Sequence, residues 1–331
     1  MDAANLIFTD NIAFTLKEWL DVKAVRQPVF ICDKNTHQYC FPLLNSISDK
    51  VIVIPAGETS KNFQVLESIL EQFLKFEVNK QDIIINLGGG VVSDIGGFAA
   101  SIYRRGVPFV NVPTTLLGMV DAAIGGKTGI DFKHLRNYIG SFRLPMEVFI
   151  SIEFLNTLPS DEQNAAMAEI IKTACIYDKD LFDMLENERP LSEIIHRCAH
   201  DKAVIVNQDF EDNGIRQLLN FGHTIGHAYE SLMLEKGTPV LHGYAVAKGM
   251  LEEIDISTEL KLLESKEASH MKDLILSKIR IEPLNESEKS TLKAFLNADK
   301  KNTDASISFS LPTAIGQGRY QIKLKNEQIR F

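Results

Sequence analysis

At 331 residues the chain exceeds the size at which a single core usually stops growing, so two domains are expected. Hydrophobic residues make up 45% and charged residues 24%, which excludes a disordered chain, and the net charge of -9 argues against broad binding to nucleic acid or anionic membranes. Four cysteines (Cys32, Cys40, Cys175 and Cys198) stand apart without a C-x-x-C pair, so neither a disulfide framework nor a thiolate zinc site is expected and the compartment reads as reducing. The opening MDAANLIFTD lacks the basic start and apolar core of a signal peptide, and no stretch of eighteen uncharged apolar residues occurs. A cytoplasmic enzyme is the expectation.

Four short β-branched runs mark the first half: VFIC at 29–32, VIVIP at 51–55, DIIINLGGG at 82–90 and FVNVP at 109–113. Each is followed by a turn and a helical stretch, which predicts parallel strands joined by crossover helices. Strands covered by helices on both faces read as continuous apolar runs, as these do. Ligands of such sheets sit beyond the carboxyl ends of the strands, where Asp33, Gly57 to Lys61, Gly88 to Gly90 and Thr114 to Thr115 fall. Thr157-Leu158-Pro159 serves as the boundary, because proline biases its predecessor away from helix. The expected domains are therefore an α/β Rossmann-like parallel-sheet domain over 1–157 and a mainly α-helical, metal-binding domain over 158–331. In the second, DEQNAAMAEIIKTACI and KAVIVNQDF show helical periodicity, and strand character returns only at ISFSL, 307–311.

In LGGGVVSDIGGF three glycines end a strand and Asp94 follows on the way into a helix. Backbone amides there can approach an anion, aided by the helix N-terminus, although a GGG turn also serves as a plain strand-to-helix connection. The spacing is not G-x-G-x-x-G. In DAAIGGKTGID, Asp121 and Lys127 flank a glycine pair, with Arg136 and Asn137 soon after. Lys127 suits a phosphate or carboxylate, or it is a surface lysine on a glycine-rich loop. Arg104, Arg105, Lys172, Lys202, Arg216 and the Lys300-Lys301 pair flank the same motifs, so an acidic chain that gathers them would want a small polyanion. MAEIIK puts Glu169 and Lys172 three apart on one helix face, which alone reads as a weak surface ion pair. FGHTIGH likewise puts His223 and His227 on one face, and His242 stands in LHG nearby. One carboxylate with two or three of these imidazoles satisfies a catalytic-type zinc site. Thr224 occupies the glutamate position of H-E-x-x-H, so a metalloprotease lacks its base.

With PAGETSK, GGGVVSDIGGF, YRRGVPFVNVPTTLLGMVDAAIGGKTGID, LRNYIGSF, FLNTLP, AEIIK, RQLLNFGHTIGHAYE, LHGYAVAKGM and DKKN in order, the chain resembles the 3-dehydroquinate synthase family over nearly its whole length. The resemblance implies an NAD-binding α/β domain, a helical metal domain and an active site between them in a homodimer. It implies zinc, or cobalt, on Glu169, His223 and His242, with His227 a catalytic histidine near the substrate phosphate. It carries NAD contacts to Asp33, Glu58, Lys61, Gly89, Gly90, Asp94, Thr114, Thr115, Lys127, Arg136 and Thr157. Substrate contacts carry over to Asp121, Lys127, Asn137, Lys172, Lys202, Arg216, Asn220 and a lysine of the Lys300-Lys301 pair, in the first place Lys301, with Arg105 reaching in from the partner subunit. The implied substrate is 3-deoxy-D-arabino-heptulosonate 7-phosphate, a sugar-phosphate acid, and neither nucleic acid nor membrane is an expected partner. Departures from the family pattern fall at Arg136, Ser93, Ala123, Asp161 and Tyr244, where lysine, glycine, serine, arginine and glutamate are expected. The rival readings are a sister sugar-phosphate cyclase of the valiolone or deoxy-inosose type, a metal-dependent polyol dehydrogenase, and a non-catalytic ligand-binding protein that keeps the fold.

Overall fold

The computed structural model describes residues 5–25, 27–133, 135–298, 306–325 and 328–329. The chain divides into two compact units, one of Met1–Pro159 with Lys202–Glu211 and the other of Ser160–Asp201 with Asp212–Phe331.

The first unit runs β1 (Asn5–Phe8), α1 (Ile12–Val22), β2 (Val29–Asp33), α2 (Lys34–Tyr39), β3 (Val51–Ile54), α3 (Phe63–Lys75), β4 (Ile84–Gly88), α4 (Gly90–Ile102), β5 (Phe109–Pro113), β6 (Lys127–Phe132), β7 (Leu135–Phe142) and β8 (Glu147–Ile150). Six strands form one parallel sheet in the order β1-β8-β5-β4-β2-β3. The expected α/β sheet domain is thus present. β4 and β5 are buried along their whole length, whereas the edge strands β1 and β3 carry exposed positions. Helix α4 is apolar nearly all round, as a helix enclosed on both sides must be, and Val92, Ile95 and Phe98 pack with Ile31, Ile84 and Phe109. β6 and β7 form a separate antiparallel ribbon that begins within the glycine-rich DAAIGGKTGID segment and is not among the expected strands.

The second unit contains α5 (Ser160–Ile176), α6 (Lys179–Glu186), α7 (Leu191–Gln208), α8 (His223–Glu235), α9 (His242–Glu259), α10 (Ser265–Lys278), α11 (Glu286–Ala298) and a hairpin of β9 (Ile307–Ala314) and β10 (Gln317–Leu324). The last turns of α7, from Lys202, group with the first unit. This unit is mainly helical, as the periodicity implies. Ile225, Tyr229, Leu232, Ile256, Phe309 and Leu311 share one core. The start of α9 lies so close to α5 that a Cβ on Gly243 would sit 1.8 Å from the Ala165 carbonyl oxygen. Only glycine fits there, and that approach brings His242 beside Glu169 of α5. In the hairpin the register slips between Arg319 and Ile322, where Gln321 adopts φ +58°.

The four cysteines are buried free thiols. Among the described residues no helix is long and apolar enough to cross a membrane.

Candidate active site

Glu169 and Lys172 are only 2% exposed each, so the surface ion pair expected from their spacing is instead a buried one. Two buried charges are tolerable only when paired. Lys172 Nζ meets Glu169 Oε2, and Glu169 Oε1 is buried with no hydrogen-bond partner. That oxygen lies 3.5 Å from Nε2 of His223 and 3.5 Å from Nε2 of His242. A tetrahedral ion with ligands at about 2.0–2.2 Å has ligand-to-ligand edges of roughly 3.3–3.6 Å. Both edges from Glu169 Oε1 therefore match such an ion, and the orphaned oxygen is what it would satisfy. One ring nitrogen of His227 falls with those of His223 and His242 inside a 4.8 Å span, looser than a ligand edge.

The outer nitrogens of the two closer imidazoles are held as metal-binding histidines require. His223 Nδ1 lies 3.1 Å from the Phe221 carbonyl oxygen, which accepts its hydrogen and leaves Nε2 as the lone-pair donor. His242 Nδ1 lies 3.5 Å from Glu230 Oε2. Burial, followed by the Lys172 ammonium, drives His223 down to about 3, so it is neutral. Burial works the same way on His242, but the neighbouring Glu169 and Glu230 carboxylates outweigh it and lift this histidine to about 9; a metal bound there would displace the proton. Burial would raise the Glu169 carboxyl, yet Lys172 and the two histidines hold it well below the usual carboxylate range.

A pocket of about 530 Å³ opens beside this cluster, lined by Asn220, His223 and His227 and, from the hairpin, by Ser310, Gln321 and Lys323. The hairpin residues were not singled out in the sequence. His227 is exposed, and Arg216, four residues before Asn220 on the same 3-10 turn (Ile215–Asn220), is 3% exposed.

In the first unit a second group assembles from three segments. Lys61, 3% exposed, donates to Asp94 Oδ2 at 2.8 Å and to Asn137 Oδ1, and lies 3.4 Å from Glu58 Oε1. Burial pushes the Asp94 carboxyl up to about 6 against the pull of Lys61. Asn137 sits at φ +48° with its N–H donating to Asp131. The Thr114 N–H donates to the Gly88 carbonyl at 3.1 Å, and Thr115 flanks Gly89, which is the N-cap of α4. No side chain caps α4. Its amides and partial positive charge fit a phosphate, so the strand ends fit a dinucleotide. Asp33, at the end of β2, takes the Thr36 N–H on Oδ1 at 2.8 Å and caps α2. Lys202 pairs with Asp121.

Other predicted positions also lie in the first unit. Lys127 is exposed at the start of β6, and Arg136 is exposed on β7. The Thr157 hydroxyl donates to the Phe154 carbonyl at 3.1 Å. Arg105 is exposed at φ +64° directly after Arg104 at φ +49°. Lys300 and Lys301 lie outside the described residues. Two departures from the family pattern explain each other: the Tyr244 hydroxyl donates to the Asp161 carboxylate, so a residue pair expected as glutamate and arginine is here a phenol and an acid. Ser93 is accommodated by donating to the Gly89 carbonyl at 3.3 Å.

Fold and cluster together define a two-unit protein with a nucleotide-binding type of parallel sheet and a buried carboxylate-imidazole cluster in a helical unit. The comparisons narrow this class. Residues 51–165 match the model of the 3-dehydroquinate synthase N-terminal domain and residues 166–302 that of the C-terminal domain. A 3-dehydroquinate synthase of Sulfurimonas denitrificans is 42% identical over 285 residues, covering 83% of this chain and 80% of that one. Among solved structures, 2-epi-5-epi-valiolone synthase from Streptomyces hygroscopicus, with NAD+ and Zn2+ bound, matches at TM-score 0.84 and 25% identity over 99% of this chain and 95% of that one. A 2-deoxy-scyllo-inosose synthase complexed with carbaglucose-6-phosphate, NAD+ and Co2+ matches at TM-score 0.85 and 21% identity over 98% and 95%. The chain belongs to the 3-dehydroquinate synthase family.

Proposed function

We propose that the protein is a 3-dehydroquinate synthase, a phosphorus-oxygen lyase that converts 3-deoxy-D-arabino-heptulosonate 7-phosphate to 3-dehydroquinate and inorganic phosphate in aromatic amino acid biosynthesis. The observation that carries this reading is the buried, unsatisfied Oε1 of Glu169 facing Nε2 of both His223 and His242, in a chain of this family. Glu169, His223 and His242 would hold zinc or cobalt, and Lys61, Asp94 and the α4 N-terminus beside Thr114 and Thr115 would hold NAD. When bound, NAD supplies a reversible store for a hydride and the metal a Lewis acid for the substrate hydroxyl.

The chain's own residues bind, orient and move protons. Lys172 keeps Glu169 ionised and contributes charge for an anionic substrate. His227, exposed to the pocket and beside His223, is suited to carry a proton near the substrate phosphate. Arg216, Lys202 and Asn220 suit the carboxylate that distinguishes this substrate from those of sister cyclases, and Asp121 orients Lys202. Asn137 and Lys127 take the remaining contacts, with Lys301 from the segment beyond α11. Arg105, exposed and in a left-handed conformation that costs a non-glycine residue energy, is consistent with a contact made across a homodimer.

Purified protein with catalytic NAD and zinc should release phosphate from the heptulosonate phosphate, form dehydroquinate and accumulate no NADH. Chelation should stop the reaction and added zinc restore it. Stoichiometric NADH would mean a polyol dehydrogenase. Turnover of a sugar phosphate lacking the carboxylate, undiminished by Arg216→Ala, would mean a valiolone or deoxy-inosose type of cyclase, the reading that the likeness to those solved structures keeps open.

A further inference from the structure

Helix α8 carries His223 and His227 in its first turns, so the way the helix begins sets where both imidazoles point. Its N-cap is Gly222 at φ +78°, and a Cβ there would lie 2.5 Å from Met250 Cγ and 2.8 Å from the Val246 carbonyl oxygen. The usual capping residues, Ser, Thr, Asp and Asn, are thereby excluded. The opening N–H groups of the helix still need an acceptor, because no intrahelical carbonyl reaches them. Glu253, in the body of α9, provides it. Its Oε2 accepts the Gly222 N–H at 2.7 Å and its Oε1 accepts the Ile225 N–H at 3.2 Å. The side chain is fully buried, and among the described residues no cation forms an ion pair with it. Burial pushes the Glu253 carboxyl up to about 8, against the Gly222, Ile225 and Thr224 N–H groups that favour its charged form.

We propose that Glu253 is the positioning residue of the metal centre: its two oxygens bridge the first turn of α8 and so aim His223 Nε2 at Glu169 and His227 at the pocket. The proposal rests on the reading of Glu169, His223 and His242 as metal ligands. Glu253 touches neither metal nor substrate, and its effect passes through the backbone from 222 to 225. Glutamine in its place keeps one acceptor oxygen but turns an NH2 group towards an N–H, so one of the two bridges becomes a repulsion.

The test is zinc affinity of the purified full chain, read by competition with a chromophoric chelator, for wild type, Glu253→Gln and Glu253→Ala. Loss of an outer support of a metal ligand typically weakens binding about 10–100-fold, and Glu253→Gln should fall in that range. Leu185→Ala, a destabilising change on the buried face of α6, is the control and should lower Tm without changing zinc affinity. Amide exchange over residues 219–230 should quicken in Glu253→Gln and not in the control. If Glu253→Ala fails to fold, Glu253→Gln alone decides. A Glu253→Gln chain with zinc affinity within about twofold of wild type would overturn the proposal, even with a lowered Tm. A wild type that takes up no zinc would instead remove the metal reading, and this proposal with it.

Discussion

Helices α4 and α8 both begin at a glycine N-cap, Gly89 in one case and Gly222 in the other, and neither glycine can offer a side chain to the first N–H groups. At α8 the vacancy is filled from within, by the Glu253 side chain. At α4 no side chain fills it, and the ends of β4 and β5 lie alongside. A helix end that holds an imidazole in place is served by a permanent internal acceptor, whereas one that would receive a phosphate and later release it is best left open. On the proposed function, the same local feature would serve a fixed centre in one unit and an exchangeable ligand in the other.

The largest expected effect comes from breaking the fixed end. Glu169→Ala should leave almost no zinc per chain by atomic emission and lower kcat by on the order of 10³-fold, the equivalent of several kcal/mol of lost metal assistance. Retention of full zinc by that variant would break the assignment of the α8 side to the metal. The open end should fail differently. Lys61→Met removes the cation between Asp94 and Glu58 and should raise KM for NAD roughly 10- to 100-fold, as expected for a charged hydrogen bond worth about 1.5–3 kcal/mol, while zinc affinity stays unchanged. A Lys61→Met protein that lost zinc as well would merge the two ends and undo the comparison.

Smaller effects sharpen it. Tyr244→Phe should cost about 1 kcal/mol in denaturant unfolding, and combining it with Asp161→Asn should cost clearly less than the sum, because the two share one hydrogen bond. The smallest change concerns Asp201, which burial and the neighbouring Asp178 carboxylate raise to about 8 while Arg197 opposes. Its unfolded value lies near 4, so between these values the folded chain holds a proton that the unfolded chain has lost. That contribution is complete below about pH 4 and disappears as pH rises through about 8. Wild-type Tm should accordingly fall between pH 6 and pH 9 by roughly 2 °C more than that of Asp201→Asn, measured by scanning calorimetry.

The central strands were readable from sequence because β2, β4 and β5 are buried on both faces and so present unbroken Val and Ile runs. β1 and β8 escaped because each is four residues long and pairs mainly with the other at one side of the sheet. The β6-β7 ribbon escaped because glycines at 129 and 140 sit opposite each other in it, and glycine signals a loop more strongly than a strand. Glu169, His223 and His242 could be proposed from residue type and helical spacing, although choosing them over His227 needed the family resemblance. Glu253 could not, since in LEEID it reads as part of a solvated acidic face. The one available clue was negative: a helix opening FGH has no Ser, Thr or Asp to start it, and its acceptor had to come from somewhere else. The Asp161 and Tyr244 departures looked unrelated at 83 residues apart and make sense only as a pair.

Lys172 gives the centre one more property. Its ammonium already neutralises Glu169 from the side away from the histidines, so the carboxylate does not depend on an ion for its only countercharge. Withdrawal of the metal should then be a reversible exchange, with zinc and cobalt able to replace one another in a folded scaffold, and not the collapse seen when an ion is the sole glue of a site. Chelator-treated protein should keep its melting transition and recover activity within the time the ion takes to rebind.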